Sequence, residues 1–366
     1  MLMCRSLCRL PPLDMAQIYP LLDKANIALG RLDGMSALLP DSSLFLYMYI
    51  RKEAVLSSQI EGTQSSLSDL LQYENAAAPG APLDDVREVS CYVAAMNYGL
   101  ERVKELPLSL RLLREIHARL MHNARGGTKQ PGEFRSSQNW IGGSRPGTAR
   151  FVPPPEYVME CLGNLENFLH DKEVKLPVLV KAAIAHVQFE TIHPFLDGNG
   201  RLGRLLITFI LCVEGLLSQP LLYLSLYFKT HRDAYYGCLQ SVRETGDWES
   251  WINFFLQGVI KTSAQATETA KAIRSLFAQD RQKIGQSGKA TAAVLSVHSY
   301  LQQHPITKTK NIAEALNIVR QTVLRSLETL EELGIVQETT GKKQNKQFAY
   351  SAYLMLLNEG TEPIER

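Results

Sequence analysis

Residues 186–204 read HVQFETIHPFLDGNGRLGR, and the folding of this stretch decides how the rest of the chain is read. Before it, Val180, Ala183, Ile184 and Val187 recur at helical spacing, and after it Leu202, Leu205, Leu206 and Phe209 resume the same period. The segment between them, Thr191 to Gly200, carries Pro194, Gly198, Asn199 and Gly200 and cannot continue either helix. Two helices joined by a tight polar loop are therefore predicted. Glycines let backbone N–H groups converge there, and the following helix aims its positive end at the same place, which makes the loop a cradle for an anion.

Around the cradle stand a base (His193), a carboxylate (Asp197) and two fixed cations (Arg201 and Arg204). Transfer of a phosphate-bearing group needs these parts: a base for the incoming hydroxyl, a carboxylate for Mg²⁺, and positive charge for a polyphosphate. A plain helix–helix connection explains none of that coincidence.

The run HPFLDGNGRLGR fits the pattern HPFx[D/E]GNGRxxR of the Fic (filamentation induced by cAMP) family at every fixed position, and the chain resembles that family. The resemblance implies an all-helical core and transfer of AMP from ATP to a Ser, Thr or Tyr hydroxyl of a target protein. It makes His193 the base and Asp197 the holder of Mg²⁺. It assigns nucleotide binding to Gly198, Asn199, Gly200, Arg201, Leu202, Gly203 and Arg204, with Arg204 meeting the γ-phosphate.

Upstream, LFLYMYIRKEAVLSSQIEG (residues 44–62) is apolar on one face and stops at a glycine suited to a helix C-terminus. Ser57 and Glu61 are four apart and share a helix face. SSQIEG resembles the family's inhibitory pattern [S/T]xxxE[G/N], with Ser57, Glu61 and Gly62 in its fixed places, and its upstream position implies an N-terminal inhibitory helix. A buried carboxylate beside Arg204 would take the guanidinium fork meant for the γ-phosphate.

Residues 131–155, PGEFRSSQNWIGGSRPGTARFVPPP, have β-formers and no helical period, so a hairpin or loop is predicted. The resemblance makes it a flap over the site that receives the target as an added strand, with Ile141, Phe151 and Val152 as docking residues. Tyr235 and Tyr236 read as core aromatics from their setting, whereas the resemblance puts them near the adenosine. His117 and His122 read as histidines without a role.

Composition bounds the remaining classes. At 366 residues and 45% hydrophobic content the chain holds two or three domains with a sizeable core. Lysine and arginine total 39 against 37 acidic residues, so no overall basic field points to nucleic acid. The six cysteines lack any CxxC spacing and read as reduced thiols. Residues 205–228 are apolar, but Glu214, Gln219 and Pro220 interrupt them, and the N-terminus lacks an apolar signal core, so no membrane span and a cytoplasmic location are expected.

The expected fold is mainly α: a Fic-type helical bundle with a short β-hairpin flap, followed by a small winged-helix α+β domain. The expected divisions are an N-terminal helical region (1–108, inhibitory helix near 44–62), a catalytic core (109–262), an exposed linker helix (263–288) and a winged-helix-like domain (289–358). In the last, Arg320, Gln321 and Arg325 take the recognition position and Lys342, Lys343 and Lys346 the wing, while Glu328, Glu331 and Glu332 on the same helix oppose a polyanion. A protein-contact or dimer role is therefore preferred to DNA binding. The leading function is an ATP- and Mg²⁺-dependent protein adenylyltransferase acting on target proteins or on itself, and a homodimer is expected. Alternatives are a DNA-binding regulator with a nucleotide-sensing core, or an enzyme that removes AMP or uses another nucleotide.

Overall fold

Almost every side chain from Val178 to Ile192 is apolar or small, so this segment has no face to offer water and belongs in the interior. The computed structural model, which describes residues 12–37, 42–75, 80–122, 129–142, 150–173, 175–341 and 346–363, is built around it. Its first elements are helices α1 (Met15–Ala37), α2 (Ser42–Ile60), α3 (Leu67–Glu74), α4 (Leu83–Arg102) and α5 (Leu110–Leu120). A two-stranded hairpin follows, β1 (Trp140–Ile141) and β2 (Arg150–Phe151). Then come α6 (Pro155–His170), α7 (Val178–Ile192), α8 (Asn199–Val213), α9 (Ser225–Thr230), α10 (Arg232–Thr245) and the 39-residue α11 (Trp248–Gln286). The C-terminal part is α12 (Ala292–Gln303), β3 (Ile306–Lys308), α13 (Thr309–Leu316), α14 (Arg320–Glu332), β4 (Gln337–Glu338), β5 (Gln347–Ala349) and α15 (Ser351–Asn358).

The molecule is mainly helical, as its sequence implied. In α7 every residue from Leu179 to Ile192 except Lys181 is buried, and α8 packs beside it with Leu202, Leu205, Leu206 and Phe209 in the core. Helix α2 touches α8 of this pair and packs more extensively on α4 and α9. β1 and β2 are antiparallel, pairing Trp140 with Phe151 and Ile141 with Arg150. In the C-terminal part the strand order is β3-β5-β4, all antiparallel, against α12, α13 and α14: a winged-helix arrangement.

Three expectations change. The sequence carries turn signals at Asp33-Gly34 and Pro40-Asp41, yet the first pair lies inside α1, because the long contact of α1 with α11 overrides the local turn preference. Residues 263–283 are the second half of α11, and Ser263, Ala266, Ala270 and Ile273 are buried under α1 and the C-terminal part. Strand β3 and helix α15 were missed, being too short to show a period. The Pro40-Asp41 turn, Cys4, Cys8, Lys342, Lys343 and the side chain of Phe151 lie outside the described residues.

Trp251 anchors the base of the core beneath the motif. It is fully buried, stacks on His186 and donates from Nε1 to the carbonyl of Ala183 at 2.9 Å. Trp251→Ala is expected to cost about 3–5 kcal/mol through the cavity it leaves. Urea unfolding of the variant with an unchanged midpoint would contradict this packing.

Candidate active site

Helix α7 ends in the middle of the molecule, where water cannot reach its last carbonyls, so protein donors must satisfy them. His193 ends it in the left-handed region (φ 50°, ψ 59°), its N–H donating to the Phe189 carbonyl. Arg243 of α10 reaches the Glu190 carbonyl at 3.1 Å. Arg135 supplies the rest: its buried guanidinium donates to the carbonyls of Ile192 (3.2 Å) and His193 (2.8 Å), and also to those of Ser137 and Pro153 before and after the hairpin. One arginine thus ties the end of the helix to both legs of the flap. Burial holds its pKa below the usual value.

The loop from Pro194 to Gly198 is closed by Asn199, whose side chain accepts from the Phe195 N–H (2.9 Å) and donates to the Phe195 carbonyl (2.8 Å). That leaves its backbone N–H, at the start of α8, as what Asn199 offers an anion. Gly198 takes φ 76°, and a Cβ there would meet the Met121 sulfur at 2.7 Å. His117, read from sequence as having no role, underpins the loop. The Gly132 N–H donates to its Nδ1 (2.8 Å), so the proton sits on Nε2, which donates to the Asp197 carbonyl (3.0 Å). Its ring stacks on Phe195 with centroids 3.7 Å apart.

Two chambers of about 500 and 480 Å³ meet over this loop, a size that suits a nucleotide-scale ligand. They share Glu61, Trp140, His193 and Gly200. The first is aromatic, with Tyr235, Tyr236, Ile141 and Arg232, and contains Arg204 and Glu190. The second is polar, with Asp197, Gly198, Asn199, Arg201 and Lys129. Sequence reasoning missed Trp140, Glu190, Arg232, Lys129 and Arg135, since each gains its place only through the fold.

Glu61 projects between the chambers. Its Oε1 lies 2.7 Å from Arg204 Nη2, and Arg204 also donates to the Ser57 hydroxyl (2.8 Å) and the Ser57 carbonyl (2.9 Å). Arg204 is buried, but the Glu61 side chain is 34% exposed, so the buried carboxylate expected from sequence is instead one that stands in the cavity. Burial pushes its pKa up, and Arg204, with Arg201 and His193 behind it, outweighs that and holds the carboxyl below its usual range. Gly200 makes the contact possible: a Cβ there would lie 2.2 Å from Glu61 Oε1.

The other predicted residues are spread more widely. Arg201 is buried and ion-paired to Glu88 at 2.6 Å, so its charge is already partly met. The Tyr235 hydroxyl donates to Nε2 of buried His186, whose Nδ1 donates to the Gly203 carbonyl. Tyr236 is half-buried, Leu202 and Val152 are core residues, and Gly62 (φ 100°) follows the end of α2. Asp197 is part-exposed, with Lys129 at 3.3 Å from Oδ2. His193 Nδ1 has no hydrogen-bond partner among the described residues, and burial with Arg243 nearby lowers its pKa to about 4.

Comparison with known proteins accounts for the arrangement. Residues 19–101 match the Fic/DOC family N-terminal domain and residues 107–211 the Fic/DOC family domain, together more than half of the chain. The chain belongs to the Fic/DOC family. Residues 294–337 match a winged helix-turn-helix DNA-binding domain. The chain is 33% identical over 200 residues to the protein adenylyltransferase Fic of Aedes aegypti, covering 53% of this chain and 37% of that protein. It is 29% identical over 213 residues to a probable protein adenylyltransferase of Aquifex aeolicus, covering 58% of this chain and 62% of that one. The chain therefore spans less than two thirds of either relative. A Fic family protein from Desulfovibrio desulfuricans shares the fold over 93% of this chain and 98% of its own (TM-score 0.60, 20% identity). Fic-1 of Caenorhabditis elegans, residues 134–508, aligns over 72% of this chain and 74% of its own (TM-score 0.55, 25% identity).

Burial also lowers His117 to about 4 and His186 to about 3, so both rings around the Fic motif stay neutral at physiological pH. Their imidazole NMR signals are expected to stay fixed between pH 5.5 and 8. A midpoint near 6.5 for either would mean that it is not enclosed as described.

Proposed function

We propose that the chain is a protein adenylyltransferase that moves AMP from ATP to a hydroxyl side chain, held in check by its own Glu61. The observation that carries this reading is the geometry of one cleft, lined together by the His193 imidazole, the anion-receiving start of α8 and Arg204. The aromatic chamber suits an adenine ring and the polar chamber a chain of phosphates. The names of the relatives, protein adenylyltransferases, support the same class of reaction.

In this reading the target's hydroxyl gives its proton to His193 and its oxygen attacks the α-phosphorus. The bond from that phosphorus to the oxygen bridging to the β-phosphorus breaks, AMP is left as a phosphoester on the target, and pyrophosphate departs. A depressed pKa keeps His193 a free base at neutral pH, and the negative charge of a bound triphosphate raises its basicity when it is needed. Backbone N–H groups at Asn199, Gly200 and Arg201 stabilise charge on the phosphates, and Arg204 receives the terminal one.

Among the described residues no group of three or more His, Cys, Asp or Glu side chains forms a ready cage for a metal. A single part-exposed carboxylate fits Mg²⁺ nonetheless, since that ion with nucleotides takes one or two carboxylates and completes its shell with phosphate oxygens and water. Asp197 would hold it, and it would supply neutralisation of phosphate charge.

Glu61 opposes the same chemistry by charge and by place. Its carboxylate uses the Arg204 donor that a γ-phosphate needs, and it repels that phosphate. The flap, tied to His193 through Arg135, gives β1 an edge on which an extended target segment adds as a strand, with Trp140 and Ile141 beside it. The targets are therefore proteins with an accessible Ser, Thr or Tyr, this chain included. A second reading, DNA binding by the C-terminal part, is favoured by the exposed Arg320, Gln321 and Arg325 on α14 and opposed by the exposed Glu328, Glu331 and Glu332 beyond them.

With ATP labelled on the α-phosphate, Glu61→Gly is expected to raise incorporation into target protein or into the chain itself at least about tenfold, the effect of about 1.4 kcal/mol. His193→Ala in that background is expected to abolish it. Label entering from the γ position instead would replace AMP transfer with phosphate transfer. A gel shift with duplex DNA that weakens steeply with salt would favour the second reading.

A further inference from the structure

We infer that the segment Asn358–Glu362, which leaves the winged-helix part, is the clamp that holds the inhibitory turn of α2 against the active site. This inference rests on the reading of Glu61 as inhibitory and concerns how that inhibition is maintained.

Glu61 follows the last turn of α2, so its position is only as firm as the ground under that turn. Gln59 provides the ground. Its buried side-chain amide donates at 2.8 Å both to the Ser65 carbonyl, beyond the turn, and to the Thr361 carbonyl, 302 residues away in sequence. One nitrogen thus closes the inhibitory turn on itself and fastens it to the C-terminal segment. Beside it, Asn358 donates to the Ser68 hydroxyl at 3.0 Å, reaching α3 just past the same turn. From below, Lys229 of α9 donates to the carbonyls of Gly360 (3.1 Å) and Glu362. Thr361 itself is 1% exposed, which is unusual for a polar residue after the last helix.

Charge points the same way. Lys52, on α2, is 2% exposed, and its Nζ has no hydrogen-bond partner among the described residues. Burial depresses its pKa, and the charges of Glu359 and Glu362 are what pull it back up. The segment therefore supplies counter-charge to a lysine buried in the inhibitory helix, and its departure would remove that counter-charge and leave the ammonium over the Tyr223 ring, 4.7 Å from its centroid. Both a hydrogen-bonded turn and a buried cation of α2 depend on these five residues.

The consequence is a line of mechanical connection from the winged-helix part to Arg204. Whatever displaces Asn358–Glu362 loosens Gln59, then the Ser57–Glu61 turn, then the carboxylate on Arg204.

Gly360 offers a test that touches neither α2 nor the cleft. It adopts φ 78°, a conformation strained for a β-branched residue, and a Cβ there would meet Leu226 Cδ1 at 2.8 Å, so Gly360→Val disfavours the course that the segment takes. In the full chain this variant is expected to speed amide hydrogen exchange across residues 57–66 and to raise AMP incorporation about fivefold, the shift from losing about 1 kcal/mol of hydrogen bonding. Gln59→Ala, which removes the donating amide, is expected to do the same. Neither change is expected to add to Glu61→Gly. Unaltered exchange in both variants would overturn the clamp whatever the activity. Faster exchange with unaltered incorporation would also overturn it as a control on Glu61, provided Glu61→Gly is itself activated. A silent Glu61→Gly would remove the inhibition reading and the clamp together.

Discussion

A helix that stops inside a protein creates a debt of unsatisfied carbonyls, and the termination of α7 at His193 is the constraint from which the site follows. Arg243 and Arg135 answer it, one from a later helix and one from the flap. Because Arg135 also grips Ser137 and Pro153, satisfying the helix end and positioning the flap are a single act. His193 is held in a left-handed conformation by the same bonds, which turns its ring toward the cleft instead of along the helix.

Placed on that frame, the cleft shows a consistent division of labour. Polar groups that shape the loop are already satisfied: Asn199 by Phe195, His117 by Gly132 and Asp197, His186 by Tyr235 and Gly203. Two residues that line the ligand space are held less completely: the enclosed Nδ1 of His193 and Oε1 of Glu190 have no hydrogen-bond partner among the described residues, and burial raises the Glu190 pKa to about 7. Rigid support beneath unsatisfied groups is what pre-organised binding of charge requires.

Under the proposed function, Arg204 is the point where catalysis and restraint compete. It is enclosed by Ser57 and Glu61 of the segment that ends α2, with Glu53 and Glu190 close enough to act on it. An arginine is suited to this double use because its fork serves a carboxylate or a phosphate equally well. Gly200, by lacking a side chain, lets Glu61 approach without moving the backbone that would hold phosphate.

The loop chemistry was legible in the linear sequence because its residues lie within one stretch: breakers, base, acid and arginines are adjacent, and helical periods frame them. The pairing of Ser57 with Glu61 was equally legible, being a matter of one helix face. What tertiary structure alone decided was every contact made across distance. No local pattern announces that Arg135 will serve four carbonyls, that His117 will support Asp197, or that Gln59 will meet Thr361. Short elements such as β3 and α15 carried no readable period, and the inner face of α11 looked polar because its small threonines, serines and alanines are buried by α1 instead of by their own hydrophobicity. Periodicity reports what a segment does with its neighbours in sequence, whereas burial and hydrogen-bond satisfaction are settled only when distant segments share one interior.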